Sequence, residues 1–341
     1  MIKWASLTMK KKPNNQTQNV SLIIPVFNGG EKFKKCIESL KQINYPPGRL
    51  EIFIIDDYSN DGSFEWLSEL ELPENLSIIR HKKNKGRSAS RNSGIKQSSG
   101  NILVFLDADM MVTPDFIYQH VKAIAKPGAM AVAGHLVTNK NVKSSRFIKY
   151  LFQYKKRGAK QFGENAPVPF QYLISGNMSV WRKVFEKTGY FEENLTEYGG
   201  EDILFSYKLE KYFPSSIRYS KPALAIDQTS YVLDNYLGKI RVYGENNLIT
   251  IITKHRDIIY DLHAEWVLGP KKHRLFGRML FGRLQLSVAR SVYYFTPYPI
   301  TNILTRYLIL CTMIIGLRKN ISLQSSRLER ERPSCKFTLD E

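Results

Sequence analysis

Short apolar segments that alternate with amphipathic ones constrain the fold of this chain more than any other feature. Four segments have the composition and length of buried strands, and they lie at 20–26, 50–55, 76–79 and 102–106. Apolar residues in the segments between them recur every three or four positions, as Phe33, Ile37 and Leu40 do, which predicts helices. Strands that alternate with helices form a mostly parallel sheet with helices on both faces. A further helix is predicted after the fourth strand, with Thr113 as its cap and Pro114 as its first residue.

Two aspartates, Asp107 and Asp109, follow the last of these apolar segments directly. Carboxylates are rarely buried unless they are paired or bind a cation, and two hard oxygen donors suit Mg²⁺ or Mn²⁺ beside a diphosphate. Two solvated aspartates in a turn are the alternative, because Asp is a common turn residue. Asn28 and Asp57 also follow predicted strands. Ligands of such sheets bind outside the carboxyl ends of the strands, so the coincidence favours a ligand site.

The charge of the chain predicts a negatively charged partner. Its 341 residues include 50 Lys and Arg against 31 Asp and Glu, a formal net charge of +19, while 43% hydrophobic residues suffice for a core. Nucleic acid, anionic lipid and a phosphorylated substrate all fit this surplus. Cys36, Cys311 and Cys335 lie far apart and show neither metal spacing nor a disulfide framework, as expected in a reducing compartment. The first ten residues contain too few apolar residues for a signal peptide.

Six motifs follow one another in an order that is typical of one enzyme family. They are the segments 21–28, 55–62, 84–92, 105–109, 175–177 and 199–202. Each is weak alone, but the ordered series is specific. With these motifs the chain resembles the family 2 glycosyltransferases of the GT-A fold, over roughly residues 18 to 245. The resemblance implies an α/β fold with a Rossmann-like, mostly parallel central sheet. It also implies a nucleotide-sugar donor, a Mn²⁺ or Mg²⁺ ion, and inversion at the anomeric carbon.

The resemblance implies a role for each residue of the donor site. Asp57 would hydrogen-bond the nucleotide base, usually uracil, and Asp56 would support it. Asp107 would contact the ribose and help to place the metal, and Asp109 would coordinate the metal that bridges the diphosphate. The nucleotide pocket would be lined by Pro25, Phe27 and Asn28. The loop that closes over the nucleotide would contain Arg91 and Asn92, and the sugar and acceptor side would be shaped by Gly176 and Asn177.

The general base of the family corresponds to Asp202, with Glu201 beside it. A single displacement with inversion needs a base that deprotonates the acceptor hydroxyl, and a carboxylate whose pKa is raised by burial can serve. A carboxylate at a helix amino end is the alternative reading, which the motif at 199–202 disfavours. Lys85 and Arg87 are interpreted as an ordinary solvated basic loop.

One stretch departs from the family pattern. Many relatives carry a histidine after the strand that follows the base helix, as a further metal or phosphate contact, whereas this chain reads Ala-Ile-Asp-Gln-Thr at 225–229. Asp227 or Gln228 could supply an oxygen there instead. The resemblance leaves the third ligand open between these two residues.

Two other classes of function were compatible with single features. Phosphatases of the haloacid dehalogenase type also carry Asp-x-Asp after a strand, but they expect Thr or Val where this chain has Met111, and their pair lies near the start. A nucleic-acid binder fits the charge, yet it leaves Asp57, Asp109 and Asp202 without a purpose. We therefore expect transfer from a nucleotide sugar, a UDP-sugar in the first place, to a saccharide or lipid-linked saccharide, and no nucleic-acid partner.

The carboxyl-terminal part is basic, aromatic and helical in pattern. We expect a basic lead-in at 1–17, the catalytic domain at 18–245, a helical region at 246–322 and a disordered tail at 323–341. The apolar run at 307–317 has eleven residues, whereas a spanning helix needs about twenty. A helix on an anionic membrane surface is the prediction, and a packed helical subdomain is the alternative. The expected location is cytoplasmic, peripheral on the inner face of the cell membrane.

Overall fold

A computed structural model describes residues 18–70 and 72–330. The predicted lead-in at 1–17 and residues 331–341 of the predicted tail lie outside the described residues. The described strands are β1 (Val20–Val26), β2 (Leu50–Asp56), β3 (Leu76–Arg80), β4 (Ile102–Leu106), β5 (Met110–Val112), β6 (Ala131–Thr138), β7 (Asn177–Trp181) and β8 (Ile217–Asp227). They form one sheet in the order β3-β2-β1-β4-β7-β6-β8-β5. The four predicted strands and the α/β fold are confirmed.

The sheet is flanked by helices of very different lengths. They are α1 (Gly30–Leu40), α2 (Ser63–Ser68), α3 (Arg87–Gln97), α4 (Phe116–Ile124), α5 (Arg146–Ile148), α6 (Arg182–Thr188), α7 (Glu201–Tyr212), α8 (Leu233–Glu245), α9 (Asn247–Lys254), α10 (Glu265–Leu268), α11 (Lys271–Leu280), α12 (Arg283–Phe295) and α13 (Thr301–Arg330). Two predictions were wrong here. Helix α4 begins at Phe116 rather than Pro114, because the carbonyl of Thr113 accepts a hydrogen bond from the Phe116 N–H in a preceding turn. The stretch 323–330, expected to be disordered, continues α13.

The first half of the sheet is parallel and places the carboxyl ends of four strands side by side. Strand β1 pairs with β2 and β4 in parallel, and β2 pairs with β3 in parallel. Every residue of β1 is buried, as expected for a strand covered on both faces. Because the strands share one direction, Asn28, Asp57 and Asp107 emerge at the same edge.

The second half is mixed and brings a distant segment to that edge. Strand β7 runs antiparallel to both β4 and β6, and β6 and β8 are parallel. The short β5 pairs antiparallel with β8, so that Met110 lies opposite Asp227. This pairing sets the segment 225–229 beside the Asp107–Asp109 pair.

Alternate side chains of the central strand enter two apolar cores, as the pleat of a strand requires. Leu22 lies in a core with Phe33 of α1, and Ile23 lies in a core with Leu248 of α9 and Leu317 of α13. The division predicted at 245 therefore separates elements that share one core.

The apolar run at 307–317 belongs largely to the packed interior of α13. Leu308, Cys311, Ile314 and Leu317 are all fully buried. The burial of these side chains favours the packed subdomain for this run over contact with lipid. Among the described residues, no helix combines the length and apolar character that crossing a membrane requires.

Candidate active site

Two adjoining cavities open at the carboxyl edge of the sheet. The first, which we call the strand-end cavity, has a volume of about 800 Å³, and its lining includes Pro25, Phe27, Asn28, Asp57, Asp107 and Asp109. The second, the α7–α8 cavity, has a volume of about 330 Å³, and its lining includes Asp107, Gly176, Glu201, Asp202, Asp227 and Tyr243. Arg87, Asp107 and Tyr198 line both. The cavities thus adjoin at these three residues, with Asp57 and Asp109 lining the first and Asp202 lining the second.

The two aspartates of the Asp-x-Asp pair have different surroundings. Asp107 Oδ1 lies 3.1 Å from Nη2 of Arg91. Asp109 Oδ2 accepts a hydrogen bond of 2.8 Å from the Thr229 hydroxyl. Burial, and then the charge of Asp107, raises the pKa of Asp109. A cation between the pair would oppose both effects, so the pair fits a hard divalent ion.

Arg91 is the cationic centre of the site. It is fully buried on α3, where its Nη1 lies 3.3 Å from Glu201 Oε1 and 4.0 Å from Asp202 Oδ1. With Asp107 it therefore faces three carboxylates. These carboxylates raise the pKa of Arg91 despite its burial. A guanidinium in this position links Asp107 to the amino end of α7.

The amino end of α7 presents Asp202 to the cleft. Gly199 and Gly200 precede it with φ of +79° and +99°, a left-handed conformation that favours glycine. The Ser175 hydroxyl donates a short hydrogen bond to Asp202 Oδ1. Burial, and then the charge of Glu201, raises the pKa of Asp202 to about 6, against the opposing effect of Arg91. A carboxylate with such a pKa is ionised at neutral pH and can still accept a proton.

Asp57 organises the turn that leads into α3. Its Oδ1 lies 2.7 Å from His81 Nδ1 and accepts from the Lys85 N–H, and its Oδ2 accepts from the Gly86 N–H at 2.8 Å. Asp56 is buried beneath it, accepts from the Ser59 N–H and pairs with Arg80 at 3.2 Å. The sequence did not reveal His81, because no motif includes it.

The first strand end supplies a flat apolar surface and a fixed loop. Phe27 is half exposed at the mouth of the strand-end cavity. Asn28 adopts φ of +51°, donates its N–H to the Ser59 hydroxyl, and accepts from the Asn60 N–H. The hydrogen bonds hold the loops after β1 and β2 together, and an exposed aromatic ring there can stack on a planar ligand.

Three predicted residues take positions that the motifs did not indicate. Arg91 and Asn92 lie within helix α3 rather than in a closing loop. The Asn92 amide donates to the Phe191 carbonyl and accepts from the Phe191 N–H, and it lines neither cavity. The Asn177 amide is also turned into the protein, where it donates to the carbonyls of His135 and Ala223. Asn92 and Asn177 therefore have structural contacts.

Gly176 permits a close approach to the Asp-x-Asp pair. A Cβ atom at this position would lie 2.8 Å from Asp107 Oδ2, closer than real Cβ contacts come. The Asp107 N–H also donates to the Gly176 carbonyl at 3.1 Å. Any side chain at 176 would therefore displace the Asp107 carboxylate.

The segment 225–229 contacts Asp109. It holds Asp227 and Gln228, the two residues between which the sequence left the third ligand open. The Gln228 N–H donates to the Asp109 carbonyl, and its amide nitrogen donates to the Lys32 carbonyl at 2.9 Å. Its Oε1 is buried and has no hydrogen-bond partner among the described residues. Asp227 instead accepts from the Thr229 N–H and the Tyr231 hydroxyl. Burial and Asp109 raise its pKa to about 6.

Carboxylates alone do not complete a metal site. Within residues 18–70 and 72–330, no three His, Cys, Asp or Glu side chains are grouped closely enough to hold an ion. The buried, unpartnered oxygen of Gln228 and the crowded Asp107 and Asp109 carboxylates fit a hard cation that takes further oxygens from a ligand.

Three basic residues to which the motifs assigned no role also face the cleft. Arg87 was interpreted as solvated, but it lines both cavities, and its Nη1 lies 3.8 Å from Glu201 Oε1. Lys32 and Lys239 line the strand-end cavity. These cations give the cleft an affinity for anionic groups. Their signal was weak, because isolated basic residues on helices are usually solvated.

Comparison with other proteins identifies a region that carries the first five of the six motifs. Residues 21–189 match the model of the family described as Glycosyl transferase family 2. Glycosyltransferase AglE of Haloferax volcanii is 36% identical over 118 residues, which are 34% of this chain and 39% of that protein. The putative glycosyltransferase EpsH of Bacillus subtilis is 28% identical over 299 residues, 79% of this chain and 82% of that protein. The match to AglE thus spans well under two-thirds of that relative's length.

Solved structures with the same fold contain nucleotide sugars. The mannosyltransferase PcManGT from Pyrobaculum calidifontis, in complex with GDP-Man and Mn²⁺, superposes with a TM-score of 0.58 at 17% identity, over 89% of this chain and 87% of that chain. TarS 1–349 of S. aureus, in complex with UDP-GlcNAc, gives a TM-score of 0.53 at 17% identity, over 90% and 92% of the two chains. The likeness confirms the GT-A fold.

Proposed function

We propose that this chain, whose residues 21–189 match the model of Glycosyl transferase family 2, is a glycosyltransferase. It would transfer a sugar from a nucleoside diphosphate sugar to a hydroxyl of a saccharide or lipid-linked saccharide. UDP is the proposed nucleotide, and the reaction inverts the anomeric carbon. One observation carries the proposal. Asp202, a carboxylate with a pKa raised to about 6, lies across Arg91 from the Asp-x-Asp pair in a shared cleft.

The strand-end cavity is the proposed donor site. Its volume of about 800 Å³ is in the range of small-molecule sites. Asp57 would accept from the imide N–H of uracil, and the half-exposed Phe27 would stack on the base. Lys32 and Arg87 line the same cavity and would attract the diphosphate.

Asp109, with Asp107 beside it, would hold a divalent cation, and we propose Gln228 Oε1 as the third protein oxygen. Gln228 is preferred over Asp227 because its amide oxygen is buried without a partner, whereas Asp227 accepts from two donors. When bound, the ion would neutralise negative charge that develops on the leaving diphosphate. Mn²⁺ and Mg²⁺ both suit these ligands.

The residues of the α7–α8 cavity would activate the acceptor. The ionised Asp202 carboxylate takes the proton of the acceptor hydroxyl as that oxygen attacks the anomeric carbon, and the diphosphate leaves from the opposite face. Arg91 keeps Asp202 ionised, and Ser175 fixes one of its oxygens. Aromatic side chains of Tyr198 and Tyr243 line this cavity and would exclude water from the reacting atoms.

The donor site predicts stabilisation by nucleotide and metal together. A ligand that binds only the folded state adds about 2.7 kcal/mol to the free energy of unfolding when its concentration is about a hundred times its Kd. UDP with Mn²⁺ should therefore raise Tm by several degrees. Differential scanning fluorimetry measures this shift. Asp109→Ala should remove the part of this Tm shift that depends on the metal. Asp261 is an exposed aspartate outside both cavities, so Asp261→Ala should retain the full shift.

The nucleotide series separates two outcomes. Stabilisation by GDP but not by UDP would replace uracil and keep the class of donor. If neither diphosphate with Mn²⁺ or Mg²⁺ moves Tm, the proposed function is contradicted.

The base predicts an acidic limb in the rate profile. Asp202 acts only when deprotonated, so kcat/KM should fall about tenfold for each pH unit below its pKa of about 6. The charged groups that face it are Arg91, which lowers its pKa, and Glu201 and Asp107, which raise it. Donor binding followed over the same range is the control. A profile that is flat between about pH 5 and about pH 7 would contradict the assignment.

A further inference from the structure

Helices α11 and α12, with the segment that follows them, hold most of the large apolar side chains that are exposed in the described chain. Of twenty such residues, twelve lie between 275 and 303. Single exposed apolar residues are ordinary, but a concentrated set marks an interaction surface. The α11–α12 face is defined here by Leu275, Phe276, Met279, Leu280, Leu284, Val288, Val292, Phe295, Ile300 and Ile303.

The spacing of these residues follows the helices. Leu284, Val288 and Val292 lie four positions apart, on one side of α12. Leu284 is 73% exposed, and Phe295 at the end of the helix is 87% exposed. Tyr293, on the opposite side, is buried against the protein. The helix therefore packs inward through one stripe and presents a second apolar stripe outward.

The same segment is strongly basic. Residues 271–306 contain seven Lys and Arg and no Asp or Glu. All seven are exposed, and they are Lys271, Lys272, Arg274, Arg278, Arg283, Arg290 and Arg306. Among the described ion pairs, these residues form one, between Arg290 and Asp234 at 2.6 Å. The apolar face thus lies among cations whose charge is not matched locally.

The α11–α12 face is attached to the wall of the α7–α8 cavity. Arg146 Nη1 donates to the Tyr294 carbonyl at 2.6 Å. Ala289 and Tyr293 of α12 share an apolar cluster with Leu237 of α8 and Leu151. Leu151 in turn lines the α7–α8 cavity. A surface bound to this face would consequently be held to the part of the protein that forms the cavity.

We propose that the α11–α12 face docks on a membrane surface that contains anionic lipid. Apolar side chains enter the boundary between headgroups and acyl chains, and the surrounding Lys and Arg bind the lipid phosphates. A second copy of the chain is a poor occupant, because it would bring two sets of unmatched cations together. If the proposed function holds, docking would present a lipid-linked acceptor to the enzyme. The docking itself is independent of that function.

Sedimentation of the full chain with lipid vesicles tests the proposal. Vesicles of phosphatidylcholine with phosphatidylglycerol should carry the protein down, and pure phosphatidylcholine should carry little. The triple variant Lys271→Gln, Lys272→Gln, Arg274→Gln should weaken binding about a hundredfold, since each cation near the surface contributes about fivefold. The matched control neutralises Lys122, Lys126 and Lys187, exposed cations elsewhere, and should weaken binding far less.

The apolar contribution has its own variant. Leu284→Gln with Phe295→Gln should weaken binding at least about tenfold, and should do so at high salt as well. Tyr212→Gln, another half-exposed apolar residue, is the control and should bind normally. The Tm of each variant should equal that of the unaltered protein, which ensures that only folded proteins are compared.

Two results would overturn docking on lipid. The first is that both test variants bind anionic vesicles with the same affinity as their control variants. The other is concentration-dependent dimerisation in sedimentation velocity that the Leu284→Gln, Phe295→Gln protein loses, which would assign the face to a second copy. UDP binding, measured separately, shows whether the proposed function stands when docking fails.

Discussion

Asp202→Asn is expected to lower kcat about a thousandfold and to leave the affinity for donor within about twofold. The substitution keeps the size of the side chain and an oxygen that can accept from the Ser175 hydroxyl. It removes the carboxylate that is proposed to take the acceptor proton. Donor affinity should persist because Asp202 lines the α7–α8 cavity and not the strand-end cavity. Steady-state rates with saturating acceptor, beside nucleotide binding by calorimetry, measure both quantities.

A matched variant separates catalysis from helix-end electrostatics. Asp234 also lies in the first turn of a helix, α8, but it is exposed and pairs with Arg290. Asp234→Asn should keep kcat near that of the unaltered protein. Equal loss in the two variants would mean that Asp202 serves only the helix dipole. A product with the anomeric configuration of the donor would contradict the single displacement itself.

Arg91→Met is expected to lower the free energy of unfolding by about 3–5 kcal/mol, because it leaves buried carboxylates without their cation. The loss corresponds to a Tm lower by about 10 °C. Arg87→Met is the matched control on the same helix, one turn earlier. The Arg87 side chain is 47% exposed against 2% for Arg91, and its pairing with Glu201 is longer. Exposed pairs contribute about 1 kcal/mol or less.

The same variant has an effect that a purely structural residue would lack. Arg91 lowers the pKa of Asp202, so its removal should move the acidic limb of kcat/KM to higher pH. Arg91→Lys, which retains the charge, should shift that limb less. If Arg91→Met is as stable as Arg87→Met and its rate profile is unmoved, the central role of Arg91 is wrong.

Local sequence patterns predicted the features that depend on neighbouring residues, namely the strands and the positions of their ends. Apolar runs with strand length predicted the parallel half of the sheet, and strand ends predicted the common edge of Asn28, Asp57 and Asp107. The helix start at Phe116 was missed because Thr113 and Pro114 suit a turn as well as a cap. The helix at 323–330 was missed because a polar, charged composition predicts a solvated segment. That composition does not show whether the segment continues a preceding helix.

Contacts between distant segments could not be read in advance. The buried position of Arg91 depends on α3 and α7 meeting, and α7 follows α3 by about a hundred residues of chain. The inward turn of Asn92 and Asn177 depends on carbonyl groups supplied by other elements. The roles proposed for the donor, metal and base residues come from the family motifs and stay predictions.

The pairing of β5 with β8 has a consequence for how proteins of this architecture could diverge. The region matched by the family ends at 189, yet Asp202 and Gln228 lie beyond it, and β8 returns the second of these to Asp109. On the proposed assignment, the residues that bind the nucleotide lie mainly in the first half of the chain. The residues that bind and activate the acceptor lie mainly in the second half. Recombination near that junction would exchange acceptors while it keeps the donor, but only if the incoming segment restores the strand beside Met110.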